Sequence, residues 1–181
     1  MPVDRDGSTW RGGEINAEGQ KVVKSIEESE YEHASNLGQA WMWCSAPATF
    51  AAADTVLAVR NDSKTLPLHI TAIKIHNGDT ASRFDVHIIT SDYTSAGTTV
   101  TPTNPNTDSN ASATADATSH ADETGNTQGS VIEYPYLAVD SEEIIDVRGV
   151  DLAQNSAIAV DMVAGGTEVS VTIYGHYGLV D

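Results

Sequence analysis

From Ala40 onward, apolar side chains recur at every second position in short runs, and turn-forming clusters separate the runs. Successive side chains of an extended chain point to opposite faces, so this period builds strands that are apolar on one face. Residues 157–163 are the cleanest case: Ile158, Val160 and Met162 alternate with Ala157, Ala159 and Asp161. Residues 168–177 set Val169, Val171 and Ile173 against Ser170, Thr172 and Tyr174. Residues 83–91 put Phe84, Val86 and Ile88 inward and Arg83, Asp85 and His87 outward. Further strands are expected at 40–45, 49–52, 55–61, 66–76, 131–137 and 142–148. Asn61-Asp62-Ser63-Lys64, Asn77-Gly78-Asp79 and Ala164-Gly165-Gly166-Thr167 supply turns. About eight short strands with no helix among them predict an all-β fold, an antiparallel β-sandwich of jelly-roll-like type.

One strand carries a phase flip. Leu66, Leu68 and Ile70 are apolar at even positions, then Ile73 and Ile75 take over at odd ones. Faces alternate strictly along a strand, so the flip requires a bulge near Thr71-Ala72. Sandwich strands that pass from one sheet to the other bend in this way, and a sheet switch is expected here.

Two stretches lack the pattern. Residues 1–39 are polar and read as an extended N-terminal arm, with a short helix expected over 22–31 on a narrow face of Val22, Val23 and Ile26. Residues 40–181 form the sandwich domain, interrupted at 91–130 by a low-complexity polar insertion whose one large aliphatic residue is Val100. That segment cannot bury enough apolar surface to offset its own chain entropy. It is expected to order only along the sandwich or against a neighbouring subunit, with a hidden strand at 98–101.

Nine Lys and Arg stand against 26 Asp and Glu, a formal net charge of -17. A surface this acidic repels phosphate backbones and anionic lipid, which argues against direct binding of nucleic acid or membrane. It suits an ordinary soluble acidic surface, or a halophilic one on which high salt screens the self-repulsion. The single cysteine, Cys44, allows no internal disulfide and no thiolate cluster. No apolar leader opens the chain and no run approaches a membrane span, so synthesis in the cytoplasm without a secretory signal is expected.

No catalytic residues are assigned. His69, His76, His87 and His176 fall on expected strands, with His69 and His87 outward on strands that could be neighbours, yet no H-x-H or H-E-x-x-H spacing offers three convergent metal ligands. Asp140, Glu142 and Glu143 could pair for glycosidase chemistry, but adjacent Glu142 and Glu143 face opposite sides of a strand. No cofactor is expected. The acidic loops 104–110 and 116–123 could hold a structural Ca2+, although neither has an EF-hand pattern. The sequons Asn61-Asp62-Ser63 and Asn110-Ala111-Ser112 are not expected to be used without a secretory signal. The candidate interface residues are aromatic: Trp10 and Tyr31 as anchors of the arm on a neighbour, and Trp41, Trp43, Tyr134 and Tyr136 on the sandwich.

The run from Phe50-Ala51-Ala52-Ala53-Asp54-Thr55 through Val56-Leu57-Ala58-Val59-Arg60-Asn61-Asp62 resembles the first strands of small jelly-roll virion proteins of tailed phages and archaeal tailed viruses. Leu68-His69-Ile70-Thr71-Ala72-Ile73 continues the likeness, and Val100-Thr101-Pro102-Thr103-Asn104 is similar to a segment of such proteins. The likeness covers residues 49–110 and leaves the arm out. It implies a non-enzymatic capsid decoration (cement) protein, or a turret, tail or baseplate component. It also implies a virion location, self-association as a homotrimer or a pentamer, and the major capsid protein or other virion proteins as partners. A carbohydrate-binding β-sandwich that recognises a receptor is the alternative, for which Trp41, Trp43, Tyr134, Tyr136, Tyr174 and Tyr177 could form an aromatic sugar platform.

Overall fold

The alternating runs pair into two antiparallel sheets that close on one apolar core. The structure, a computed structural model, describes residues 29–89, 97–108, 115–123 and 129–178. The first sheet runs in the order β1 (Ala40–Cys44), β12 (Gly166–Tyr177), β4 (Leu68–Asn77), β10 (Ser141–Leu152). β2 (Ala48–Phe50) pairs with the start of β12 while β1 pairs with its end, so β1 and β2 line the same strand. The second sheet runs β6 (Thr98–Thr99), β7 (Ala117–Glu123), β3 (Asp54–Asn61), β11 (Ala157–Met162), β5 (Ser82–Ile89), β8 (Ser130–Glu133). β9 (Tyr136–Leu137) also pairs with β5. One helix, α1 (Glu30–Asn36), precedes the strands.

The inward positions are those the alternation selects. Trp43, Ile73, Ile75 and Ile173 of the first sheet meet Leu57, Phe84, Ile158 and Met162 of the second in one continuous cluster, each fully buried. Each such side chain contributes about 1.5–3 kcal/mol relative to an exposed one. Asn77 ends β4 inside the protein, and its amide donates to the carbonyls of Thr80, Leu137 and Ala138. That single side chain ties the β4–β5 turn to β9.

The bulge in β4 is present. β12 pairs Tyr174 with Ala72 and Gly175 with Ile70, which leaves Thr71 as the extra residue. The expected sheet switch does not occur. β12 and β10 pair with β4 on both sides of the bulge, so the strand remains in the first sheet throughout. A second bulge lies in β3, where Val160 faces Leu57 and Asp161 faces Thr55, with Val56 between.

Among the described residues twelve strands are found, where about eight were expected. Residues 131–137 were expected as one strand and form two. Pro135 lies between β8 and β9 with no N–H for the ladder, although its carbonyl accepts from the Phe84 amide at 2.8 Å. The larger correction concerns the polar insertion. Its residues 117–123, expected as loop, form β7, which pairs with β3 from Asn61 to Thr55. Ala115, Ala117 and Ala121 pack on the core, and the backbone ladder supplies what bulky side chains do not. β6 falls within the hidden strand expected at 98–101. Most of the helix expected over 22–31 lies outside the described residues, and the helix that is described begins only at Glu30.

Candidate functional site

A cleft of about 930 Å3 opens on the outer face of the first sheet, beneath α1. The sequence starts α1 there with a capping box. The Ser29 hydroxyl accepts from the Glu32 amide at 3.2 Å, and the Glu32 carboxylate accepts from the Ser29 amide at 3.0 Å. The Ser29 amide and hydroxyl both donate to that carboxylate and hold the Glu32 carboxyl below its ordinary range. At the other end, Asn104 donates to the Gly38 carbonyl, and Asn106 donates to those of Ser35 and Asn36. The underside of α1 is the buried Ala34 and the ring of Tyr31.

Tyr31 stands edge-on to Tyr174 at 6.2 Å and to His176 at 6.5 Å. Beneath it, register brings three residues into one row across β12, β4 and β10: His176 pairs with His69, and His69 pairs with Asp151. The two imidazoles stack with centroids 5.1 Å apart. His69 Nδ1 lies 2.5 Å from Asp151 Oδ1. β10 opens the far side of the cleft through the register shift between Asp146 and Val150, which contains Gly149 at φ +94°.

Two polar atoms in this layer find no hydrogen-bond partner among the described residues: Tyr31 Oη and His176 Nδ1. His176 is 4% exposed. Burial, reinforced by the neighbouring His69, holds its imidazole below the ordinary histidine pKa. Burial likewise pushes the Tyr31 phenol up to about 12. Among the described residues no group of three His, Cys, Asp or Glu side chains could hold a metal ion. What the row can do chemically is take up a proton at a buried, unsatisfied imidazole.

The outer face of the second sheet is built in the opposite way. His87 and Asp85 point outward on β5, as the alternation requires, but both are buried. His87 Nδ1 accepts from the Gly129 amide at 3.0 Å. Its Nε2 lies 2.9 Å from Asp161 Oδ2, a charge contact without a hydrogen bond. The other Asp161 oxygen accepts from Thr55 Oγ1 at 2.6 Å. His69 and His87 are therefore not neighbours, because they occupy different sheets.

The remaining sequence candidates separate clearly. Trp41 and Trp43 are 2% and 0% exposed, which removes them from any surface: both point inward from β1 into the core. Tyr31, expected to anchor the arm on a neighbour, packs instead against Tyr174 and His176 of its own sheet. Trp10 lies outside the described residues. Tyr134 and Tyr136 are 60% and 71% exposed, and among the described aromatic residues no others are exposed. Arg83 pairs with Asp85 through two hydrogen bonds of 2.8 and 3.1 Å and lays its guanidinium 5.4 Å from the centre of the Tyr134 ring.

No family model, no curated protein and no solved structure matches this chain. The arrangement of its own side chains therefore has to carry any functional reading.

The other expected sites fare as follows. Glu142 is engaged by Lys74 at 2.9 Å. Of the two acidic loops, 116–123 is largely strand β7, and in 104–110 the Asn104 and Asn106 oxygens accept from the amides of Asn106 and Asp108. No helix among the described residues is long and apolar enough to cross a membrane. The histidine row went unrecognised in the sequence because it is made by the register of three distant strands, and no local spacing encodes that.

Proposed function

We propose that this chain is a non-enzymatic structural protein of a virus exterior, a capsid decoration protein that coats or stabilises the shell through contacts between subunits. The observation that carries this reading is the tyrosine edge. The domain buries Trp41, Trp43, Phe50, Phe84 and Tyr177 yet leaves Tyr134 and Tyr136 in solvent beside β8 and β9, with Val139 exposed nearby in the chain. The Asp85–Arg83 pair holds one of these rings before any partner arrives. Interface hot spots are rich in tyrosine and arginine, and a ring held in place loses little entropy on binding.

Strand order supports a jelly-roll assignment. With β1 and β2 counted as one interrupted strand and the short or peripheral β6, β7 and β9 set aside, eight strands remain. Numbered along the chain, they run 1-8-3-6 in one sheet and 2-7-4-5 in the other. Successive strands then lie in opposite sheets except for the fourth and fifth, an ordering suited to two Greek keys. Fold alone does not give function, so the virion reading rests on the edge. The partners in this reading are further copies of the chain, as a homotrimer or a pentamer, together with the major capsid protein. The charge of -17 suits a saline host environment.

Sedimentation of the purified chain, alone and with assembled shells, tests the proposal. A closed oligomer or shell binding that Tyr134→Ser/Tyr136→Ser weakens at least about tenfold, the loss of one hot spot, is expected. A strictly monomeric chain with no affinity for shells contradicts it. A glycan array that binds the wild type and not the double variant would favour the sugar-platform reading of the same tyrosines.

A further inference from the structure

We propose that His176 is the proton-sensitive element of a latch that docks α1 onto the first sheet, so that mild acidification releases the helix. The inference stands on the geometry of the cleft and does not depend on the virion reading.

Tyr31 is the ring by which α1 rests on β12, and His176 is one of the two aromatic side chains it touches. The His69 ring also stacks against His176, with centroids 5.1 Å apart. In this layer Nδ1 has no hydrogen-bond partner among the described residues, so a proton added there would find no acceptor. The groups facing His176 come from four elements: His69 on β4, Tyr174 on its own strand, Asp151 and Asp146 on β10, and Glu30 and Tyr31 on α1. Glu30 and Asp151 favour the charged imidazole, while burial and His69 oppose it and outweigh them.

The sign follows from linkage. The docked form holds His176 below its ordinary pKa, so the undocked form binds more protons. Docking is therefore fully favoured above the ordinary histidine pKa of about 6.5 and weakens as pH falls through it. Undocking also gives the cation what it lacks, since lifting Tyr31 lets water reach Nδ1. The capping box is independent of this step, because the Glu32 carboxyl is held below the ordinary carboxylate range and titrates at lower pH.

Amide exchange of the full chain, read at the α1 amides of Leu37 and Gln39 and corrected for intrinsic rates, tests the latch alongside an NMR titration of the histidine rings. Leu37 and Gln39 donate to the carbonyls of His33 and Ala34, so both report the helix end. One proton taken up on release allows protection to fall by up to about thirtyfold between pH 7 and pH 5. The fall should follow the titration of the His176 ring and should be absent in His176→Phe, which keeps a ring under Tyr31. If that variant fails to fold, His176→Gln serves the same purpose. Protection that is flat from pH 7 to pH 5 in the wild type, or a fall that persists in the folded variant, overturns the proposal.

Discussion

His87 and His176 are both buried on the outer faces of the two sheets, at 0% and 4% exposure, and their surroundings differ. The Gly129 amide donates to His87 Nδ1, and the Asp161 carboxylate, which accepts from Thr55, lies 2.9 Å from Nε2 as a charge contact. His176 has an unsatisfied Nδ1 and a second imidazole stacked against it. A buried imidazole held between an amide and a carboxylate is fixed in one arrangement, whereas one with an unpartnered nitrogen and a second imidazole beside it leaves free energy to be regained if the structure opens. The second sheet's outer face is therefore the sealed one. The first sheet's outer face, with its cleft and the short helix laid over it, is the one that can respond.

Three substitutions probe this contrast, in decreasing order of effect. Asp161→Ala removes the carboxylate beside His87 Nε2 and the acceptor at 2.6 Å from the Thr55 hydroxyl, and it should lower the unfolding free energy by about 2 kcal/mol. A urea titration at pH 7 measures this, and a loss under about 1 kcal/mol would mean that the network is not the seal described. Tyr31→Ala removes the ring that α1 rests on and should cost about 1 kcal/mol or less globally. Its principal sign is faster exchange of the Leu37 amide, with the strands unaffected. His176→Phe breaks no hydrogen bond through Nδ1, so its cost at pH 7 should stay within about 1 kcal/mol, well below that of Asp161→Ala. Equal losses for His176→Phe and Asp161→Ala would erase the distinction between the two faces.

Much of the fold was written in local pattern. The bulge at Thr71 follows from a phase flip that any reader of residues 66–76 can see, and the faces of β5, β11 and β12 follow from alternation. Trp41 and Trp43 also share one parity, which already places both on the same face of β1. That this face is the inner one emerges only once β12 lies beside it. β7 was invisible because its sequence, Ala-Thr-Ser-His-Ala-Asp-Glu, offers no bulky apolar face, and a strand held by its backbone ladder to β3 leaves little trace in hydropathy. The His176–His69–Asp151 row was hidden for a different reason. Its members are far apart in sequence, and only the pairing of β12, β4 and β10 brings them together. The sealed character of His87 was missed likewise, since alternation gives a residue's face and not what covers it.

The salt response gives a smaller, independent check. Raising ionic strength from 0.1 M to 1 M shortens the screening length from about 10 to about 3 Å. With a net charge of -17, the melting temperature should rise over that range, and a fall would argue against the saline setting.

The central claim is that the exposed tyrosine edge, and not a reactive centre, is where this protein works. Hydroxyl-radical footprinting of the chain free and in its assembled particle tests that most directly. The account predicts that Tyr134 and Tyr136 lose most of their reactivity on assembly while solvent-facing Val163, on the β11–β12 turn, keeps its own. Unchanged reactivity at both tyrosines in a particle that plainly contains the chain would contradict it.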